Sequence, residues 1–140
     1  MNQLASSYGR TIGYLRISVT TRCNLRCVYC RPSDLNDEER RDQFLTFDEM
    51  LRVVRVLASA GLYKVRVTGG EPLVRTGVVD FIGEVAKVPG IRDLALSTNG
   101  LLLAKHAENL ARNGLHRVNV SLDTLDPAMF RLMTGGGRVE

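Results

Sequence analysis

The alternation of strand-like and helix-like segments constrains the fold of this chain most strongly. Four short runs of alternating apolar and polar residues predict strands at residues 14–19, 64–68, 93–97 and 117–122. Apolar residues at helical spacing predict helices at residues 46–60, 76–87 and 103–113, and a fourth from Pro127 onwards. The last three strands begin at residues 64, 93 and 117, which is the spacing of strand–helix units that build a parallel sheet.

The length of the chain limits how much of such an architecture it can hold. A closed barrel of eight strand–helix units needs about 250 residues. The 140 residues here hold about four units, and the chain stops just beyond the fourth predicted helix. The sequence therefore predicts an α/β fold in which residues 1–140 form a single, truncated domain, the N-terminal half of a partial TIM-like (βα) barrel with parallel strands.

Local signals support the predicted helix ends. Thr46 and Glu49 form a capping box, an apolar stripe follows, and Gly61 lies where a helix C′ glycine belongs. The predicted stripe comprises Met50, Leu51, Val53, Val54, Leu57 and Ala58. Asp126 is the expected N-cap of the fourth helix, with Pro127 at its first position. The charged residues 34–42 are predicted to form a solvated, mobile loop.

The composition and charge of the chain exclude several classes of protein. It is 44% hydrophobic and 24% charged, which is ordinary for a globular protein and unlike a disordered chain. The net charge is only +4 and no dense basic block occurs, so we expect no nucleic-acid partner. No apolar run approaches the roughly 18 residues of a membrane span, and the first residues lack the apolar core of a signal peptide. We therefore expect a cytoplasmic protein with no membrane partner.

The three cysteines all lie within eight residues, directly after the first predicted strand. Cys23, Cys27 and Cys30 form the pattern C-x3-C-x2-C, and this odd, clustered number argues for a metal site and against a disulfide framework. Three thiolates on one loop can hold three corners of an iron–sulfur cubane, whose fourth iron can then bind a small molecule. A zinc site with a missing fourth ligand and three incidental cysteines are the alternatives. His106 and His116 are not at ligand spacing, so we expect ordinary surface or turn residues.

Glycines and basic residues near these strands suggest a ligand-binding edge. Gly69 and Gly70 follow strand two, where glycine allows a sharp turn and a close approach to a ligand; an ordinary strand-to-helix turn is the alternative. Arg16, Lys64 and Arg66 alternate with apolar residues, so they point to one side of the sheet, the interior in a barrel. Interior arginines are costly unless they meet an anion, and arginine matches phosphate oxygens. A half-exposed sheet with solvated arginines is the alternative.

Motifs along most of the chain resemble one known family. The three-cysteine pattern with Tyr29 before its last cysteine, together with the TGGEP run at residues 68–72, resembles radical S-adenosylmethionine (SAM) enzymes. Within that superfamily, four runs in order resemble the GTP 3′,8-cyclases of molybdenum cofactor biosynthesis. They are YLRISVTTRCNLRCVYCRP, KVRVTGGEPLVR, LALSTNGLLLAKHA and GLHRVNVSLDTLDP. The resemblance covers residues 14–134.

The resemblance implies a set of ligands and of residues that bind them. It implies a [4Fe–4S] cluster on Cys23, Cys27 and Cys30, and SAM chelating the open iron of that cluster. It implies SAM contacts from Tyr29, Gly70 and Ser121. It implies GTP contacts from Arg16, Arg66 and Ser97, where the family usually has threonine at the position of Ser97. The implied partners are GTP, an electron donor of the flavodoxin or ferredoxin type, and a second copy of the chain in a homodimer.

The resemblance also implies a reaction. An electron from the cluster cleaves the sulfonium of SAM, the resulting 5′-deoxyadenosyl radical abstracts the C3′ hydrogen of GTP, and the C3′ radical attacks C8 of guanine. Family members carry a second cluster on three C-terminal cysteines, but this chain has no cysteine after Cys30. We therefore expect a truncated chain without the second-cluster region. Another radical SAM enzyme, such as a peptide-modifying one, and an inactive cluster- or zinc-binding remnant are the alternatives.

Overall fold

The computed structural model describes residues 4–30 and 44–139. They form one four-stranded parallel sheet in the order β1-β2-β3-β4, so the predicted parallel α/β architecture is confirmed. The strands are β1 (Tyr14–Ser18), β2 (Lys64–Thr68), β3 (Asp93–Thr98) and β4 (Arg117–Val120). The helices are α1 (Phe47–Ser59), α2 (Val78–Ala86), α3 (Leu103–Arg112) and α4 (Pro127–Thr134). The charged residues 34–42, predicted as a mobile loop, lie outside the described part of the chain.

The predicted boundaries agree with the structure to within a few residues. The second helix begins two residues later than predicted, at Val78, because a short 3₁₀ turn (Pro72–Val74) and Gly77, with φ of 85°, precede it. The capping box of α1 is confirmed, since the Glu49 N–H donates to the Thr46 hydroxyl and the Glu49 carboxylate accepts from the Thr46 N–H. The predicted N-cap of α4 is also confirmed, since Asp126 accepts from the Met129 N–H at 2.7 Å.

The hydrophobic core lies between one face of the sheet and helices α1, α2 and α3. Four strand residues on this face are fully buried: Val65, Val67, Leu94 and Leu96. Met50, Leu51 and Val54 of α1 are buried against them, as predicted, but Val53 is 45% exposed. The prediction was wrong for Val53 because it lies about 100° around the helix from Val54, on the side away from Leu51.

The opposite face of the sheet is polar, and the strand register stacks its side chains in rows. Arg16 pairs with Arg66 across β1 and β2, and Lys64 pairs with Asp93 across β2 and β3. Paired residues of neighbouring strands point to the same face, and successive residues alternate between faces. The charged residues therefore face away from the core. This polar face leads directly to the loops at the carboxyl ends of the strands.

No helix in the described ranges 4–30 and 44–139 has the length and apolar character needed to cross a lipid bilayer.

Candidate functional site

The loops at the carboxyl ends of all four strands surround one cavity of about 280 Å³. This is close to the lower end of the volume range of small-ligand pockets, roughly 300–1,000 Å³. Eight of the nine predicted site residues line it: Arg16, Cys23, Cys27, Tyr29, Cys30, Gly70, Ser97 and Ser121. The ninth, Arg66, is not among the lining residues and lies on the polar face beside Arg16. The topology therefore brings together residues from four separate segments of the chain.

The cysteine loop (residues 23–30) is held in place by α4, a contact that the sequence did not predict. The N–H of Arg26 donates to the carbonyl of Thr134 at 3.0 Å, and the N–H of Val28 donates to the carbonyl of Met133 at 2.9 Å. These carbonyls belong to the last turn of α4, where they lack partners within the helix. The end of α4 thus fixes the backbone of the loop that carries the three sulfurs.

All three cysteines are free thiols that are available as ligands. Cys23 and Cys27 are half-buried, and Cys30 is exposed. Burial raises the pKa of the Cys27 thiol above its ordinary value, and the neighbouring Cys23 and Cys30 raise it further. A bound metal cation would reverse this effect, because a coordinating thiol is deprotonated.

The three cysteines suit an iron–sulfur cluster better than a single metal ion. Within the described ranges, no three histidine, cysteine, aspartate or glutamate side chains are grouped so that they could hold one metal ion. The three ligands of a cubane bind three different iron atoms, so they need not converge on one point. Three free thiols on one loop, at the rim of a ligand-sized cavity, fit a cluster with one open iron.

Gly69 and Gly70 allow two loops to pack together. A side chain on Gly69 would lie 2.6 Å from the carbonyl oxygen of Thr20, and one on Gly70 would overlap the carbonyl oxygens of Thr21 and Arg22. The N–H of Gly70 donates to the Thr20 carbonyl at 2.7 Å. In this structure the missing side chains therefore make room for the backbone that leads into the cysteine loop, in addition to the sharp turn that was predicted.

Glu71 is a buried carboxylate whose role the sequence analysis did not identify. Its side chain is 0% exposed and accepts three hydrogen bonds. The donors are the Leu73 N–H at 3.0 Å, the Thr98 hydroxyl at 2.9 Å and the Asn99 N–H at 2.7 Å. It thereby joins the loop after β2 to the loop after β3. A charged residue shortly after a predicted strand, followed by Pro72 and the apolar Leu73 and Val74, was a signal that could have revealed this position.

The arginines of the polar face differ in how they are neutralised. Asp93 binds Lys64 at 3.2 Å and Arg117 at 2.7 Å. Among the residues of the described ranges, neither Arg16 nor Arg66 has a carboxylate partner, although the two lie side by side. Adjacent like charges are unfavourable on a sheet unless an anion joins them.

The burial of the two arginines also differs. Arg16 is exposed, which agrees with the alternative of a solvated arginine at that position. Arg66 is half-buried, and its Nε is buried without a hydrogen-bond partner within the described part of the chain. A buried N–H of this kind is costly and indicates a missing acceptor.

The loop after β4 also lines the cavity, and it contacts the cysteine loop. The N–H of Ser121 donates to the Thr98 carbonyl at 2.8 Å, which continues the pairing of β3 and β4. The Tyr29 hydroxyl donates to the Asp123 carboxylate at 2.5 Å, and this contact raises the pKa of Tyr29 above its ordinary value. The phenol is therefore held as a neutral donor that ties the cysteine loop to the β4 loop.

Neither histidine lies among the residues that line this cavity. His116 is exposed beside β3, where its Nδ1 accepts a hydrogen bond from the Leu94 N–H at 2.9 Å. His106 is half-buried on α3.

Comparison with known proteins places this architecture in a family. The radical SAM superfamily model matches residues 17–140 of the chain. GTP 3′,8-cyclase of Clostridium perfringens (strain 13 / Type A) is 51% identical over 137 residues, covering 98% of this chain and 42% of the relative. GTP 3′,8-cyclase of Geobacter sulfurreducens is 44% identical over 138 residues, covering 99% of this chain and 42% of the relative. The chain thus spans about two fifths of the length of these curated relatives.

Two solved structures share the fold at low sequence identity. Streptococcus suis SuiB bound to S-adenosylmethionine superposes with a TM-score of 0.72 at 22% identity, covering 89% of this chain and 28% of SuiB. BtrN in complex with AdoMet and 2-DOIA gives a TM-score of 0.63 at 20% identity, covering 86% of this chain and 46% of BtrN. At these identities the likeness shows the fold alone, a partial TIM-like arrangement of parallel strand–helix units.

Proposed function

Because this chain belongs to the radical SAM superfamily, we propose that it forms the cofactor-binding part of a GTP 3′,8-cyclase, a lyase of molybdenum cofactor biosynthesis. One observation carries the proposal: the loops after all four strands meet at one cavity, which is lined by free thiols and lies beside two arginines that have no carboxylate partner among the described residues. The relatives named GTP 3′,8-cyclase support this choice within the superfamily, since about half of the aligned residues are identical.

In this proposal Cys23, Cys27 and Cys30 hold a [4Fe–4S] cluster. Three protein ligands leave one iron without a side chain, so a small molecule can bind there. The end of α4 holds the loop backbone through Arg26 and Val28, which limits the freedom of the sulfurs before the cluster binds.

SAM is the proposed ligand of the open iron. Tyr29, Gly70 and Ser121 are its proposed contacts, and all three line the cavity that the cysteines border. When bound, cluster and SAM supply a radical that removes a hydrogen atom from the substrate. The protein contributes orientation and shielding from water, to which the Tyr29–Asp123 hydrogen bond adds by joining two of the surrounding loops.

GTP is the proposed substrate, bound through its phosphates and ribose beside the cavity. Among the described residues, the buried Nε of Arg66 has no hydrogen-bond partner and the neighbouring Arg16 has no carboxylate partner, so this pair suits phosphate oxygens. Ser97, which lines the cavity, supplies a hydroxyl at the third proposed position. An electron donor of the flavodoxin or ferredoxin type and a homodimer stay predictions.

The cluster is tested by anaerobic reconstitution of the chain with iron and sulfide. We expect iron and sulfide in near-equal amounts and a broad visible absorbance. Cys27→Ala should lose the iron, the sulfide and the absorbance. Val28→Ala is the matched control, because its side chain in the same loop is 69% exposed and should leave the cluster unchanged. Stoichiometric zinc in oxygen-free preparations, or a cluster retained in Cys27→Ala, would contradict the proposal.

The substrate is tested by measuring GTP binding to the reconstituted chain. Arg66→Ala should weaken binding by roughly tenfold or more, since hydrogen bonds to charged groups contribute about 1.5–3 kcal/mol. Cluster content should not change, and Arg112→Ala, at the end of α3, is the control. Comparing 5′-deoxyadenosine formation with and without GTP distinguishes this function from another radical SAM activity, for which GTP would have no effect.

A further inference from the structure

We propose that Asn99 sets the reduction potential of the cluster by donating a hydrogen bond to the sulfur of Cys23. This inference rests on the proposed cluster and deepens it, because it assigns a positioning and tuning residue outside the set of ligand contacts. The amide Nδ2 of Asn99 lies 3.8 Å from the Sγ of Cys23, within hydrogen-bond range for sulfur. The backbone N–H of Leu25 donates to the same sulfur at 3.4 Å.

The neighbouring contacts fix the orientation of the Asn99 amide. Its Oδ1 accepts from the Leu101 N–H at 3.1 Å, so the oxygen is committed to the turn after β3. The NH₂ group therefore faces the cysteine loop, where its two hydrogens serve two acceptors. One is the Cys23 sulfur and the other is Oδ1 of Asn24, at 2.8 Å.

The buried Glu71 fixes the backbone at Asn99 through hydrogen bonds. Its carboxylate accepts the backbone N–H of Asn99 at 2.7 Å and the hydroxyl of Thr98 at 2.9 Å. Since Glu71 is fully buried, the backbone of the donor is anchored to the core beneath the cavity. Asn99 is thus a preoriented donor, which points its amide at a sulfur that comes from a distant part of the chain.

A donor at this position has a defined effect on the cluster. One-electron reduction from the 2+ to the 1+ state adds negative charge, part of which resides on the ligand sulfurs. A hydrogen bond to sulfur stabilises that charge and raises the reduction potential. Removing the donor should therefore make the cluster harder to reduce.

The test is a potentiometric titration of the reconstituted chain with dithionite as the electron source, followed by EPR of the reduced cluster. Asn99→Ser is the main variant, because it stays neutral and keeps an oxygen for the turn but is too short to reach the sulfur. We expect a more negative midpoint potential, with up to a tenfold smaller equilibrium constant for reduction, or about 59 mV for one electron. Asn109→Ser, on the exposed side of α3, should show no shift.

A second variant distinguishes loss of the hydrogen bond to sulfur from disruption of the turn after β3. Asn99→Asp keeps the side-chain length and the acceptor for Leu101 but replaces the NH₂ donor with a negative oxygen, so its potential should be lower than that of Asn99→Ser. Fully reconstituted variants with the wild-type potential would overturn the inference and leave the proposed function intact. A wild-type chain that takes up no iron would overturn the proposed function, and this inference with it.

Discussion

The two faces of the sheet are built from the same strands but have opposite chemistry. On the helix side, Val65, Val67, Leu94 and Leu96 are fully buried. On the other side, Arg16 and Arg66 are paired across two strands, and Asp93 binds both Lys64 and Arg117 in a three-residue ion network that is partly exposed. Alternation of side chains along a strand makes this division possible without any change of backbone.

The comparison shows that stability and binding are assigned to different residues of each strand. Apolar residues facing the helices stabilise the fold, since burial of such side chains contributes roughly 1.5–3 kcal/mol each. The polar residues contribute little to that core and are therefore free to be selected for a ligand. Substitutions on the helix side should therefore lower stability, whereas substitutions on the polar side should affect ligand binding and change stability little.

The largest effect is expected from Leu96→Ala, which creates a cavity in the core on the helix side of the sheet. We expect a loss of about 2–5 kcal/mol in the free energy of unfolding, measured by urea denaturation. Val118→Ala is the matched control: it pairs with Leu96 across β3 and β4 but is 38% exposed, so its cost should stay below about 1 kcal/mol. Equal losses in both variants would show that burial against the helices does not set the stability contribution of these side chains.

An intermediate effect is expected from Glu71→Gln, a substitution of the buried residue that joins the loops after β2 and β3. The Glu71 carboxylate accepts hydrogen bonds from the Thr98 hydroxyl and the Asn99 N–H, and an NH₂ group in place of one oxygen cannot accept them. The variant should therefore lose about 1–3 kcal/mol of unfolding free energy. The measurement is again urea denaturation, with the exposed Glu84→Gln on α2 as the control. A stability equal to that of the control would mean that the buried carboxylate does not anchor these loops.

The smallest effect is expected from Asp93→Asn, which removes the centre of the ion network on the polar face. The hydrogen bond from Arg117 holds the pKa of Asp93 below its ordinary value, and Lys64 acts in the same direction. A lowered pKa in the folded state gives stability that is present at neutral pH and is lost as the pH falls through that pKa.

We therefore expect Asp93→Asn to lose less than about 1 kcal/mol at pH 7, because the pair is partly exposed to solvent. The two proteins should converge in stability as the pH is lowered below the Asp93 pKa. Denaturation curves across the acid range check this, and a difference that stays constant with pH would contradict the electrostatic explanation.

Local patterns in the sequence were enough to predict the elements, and to predict that the basic residues of β1 and β2 lie on one side of the sheet. Period-2 alternation predicted four strands, and the capping residues Thr46 and Asp126 predicted where two helices begin. The position of Val53 was mispredicted, because a helical apolar stripe does not show how wide the buried surface is. The roles of the predicted ligand contacts remain predictions, although the fold brings all but Arg66 to one cavity.

The order of residues along the chain by itself determined the strand and helix segments, the cluster of three thiols and the glycine turn, because each depends on residues that are close in sequence. Only the tertiary structure decided which distant groups meet. Asn99 reaches Cys23 across 76 residues, the end of α4 holds the cysteine loop, and Glu71 joins two loops. Such contacts depend on strand order and register, which place the carboxyl ends of separate strands side by side, and no local pattern encodes that placement.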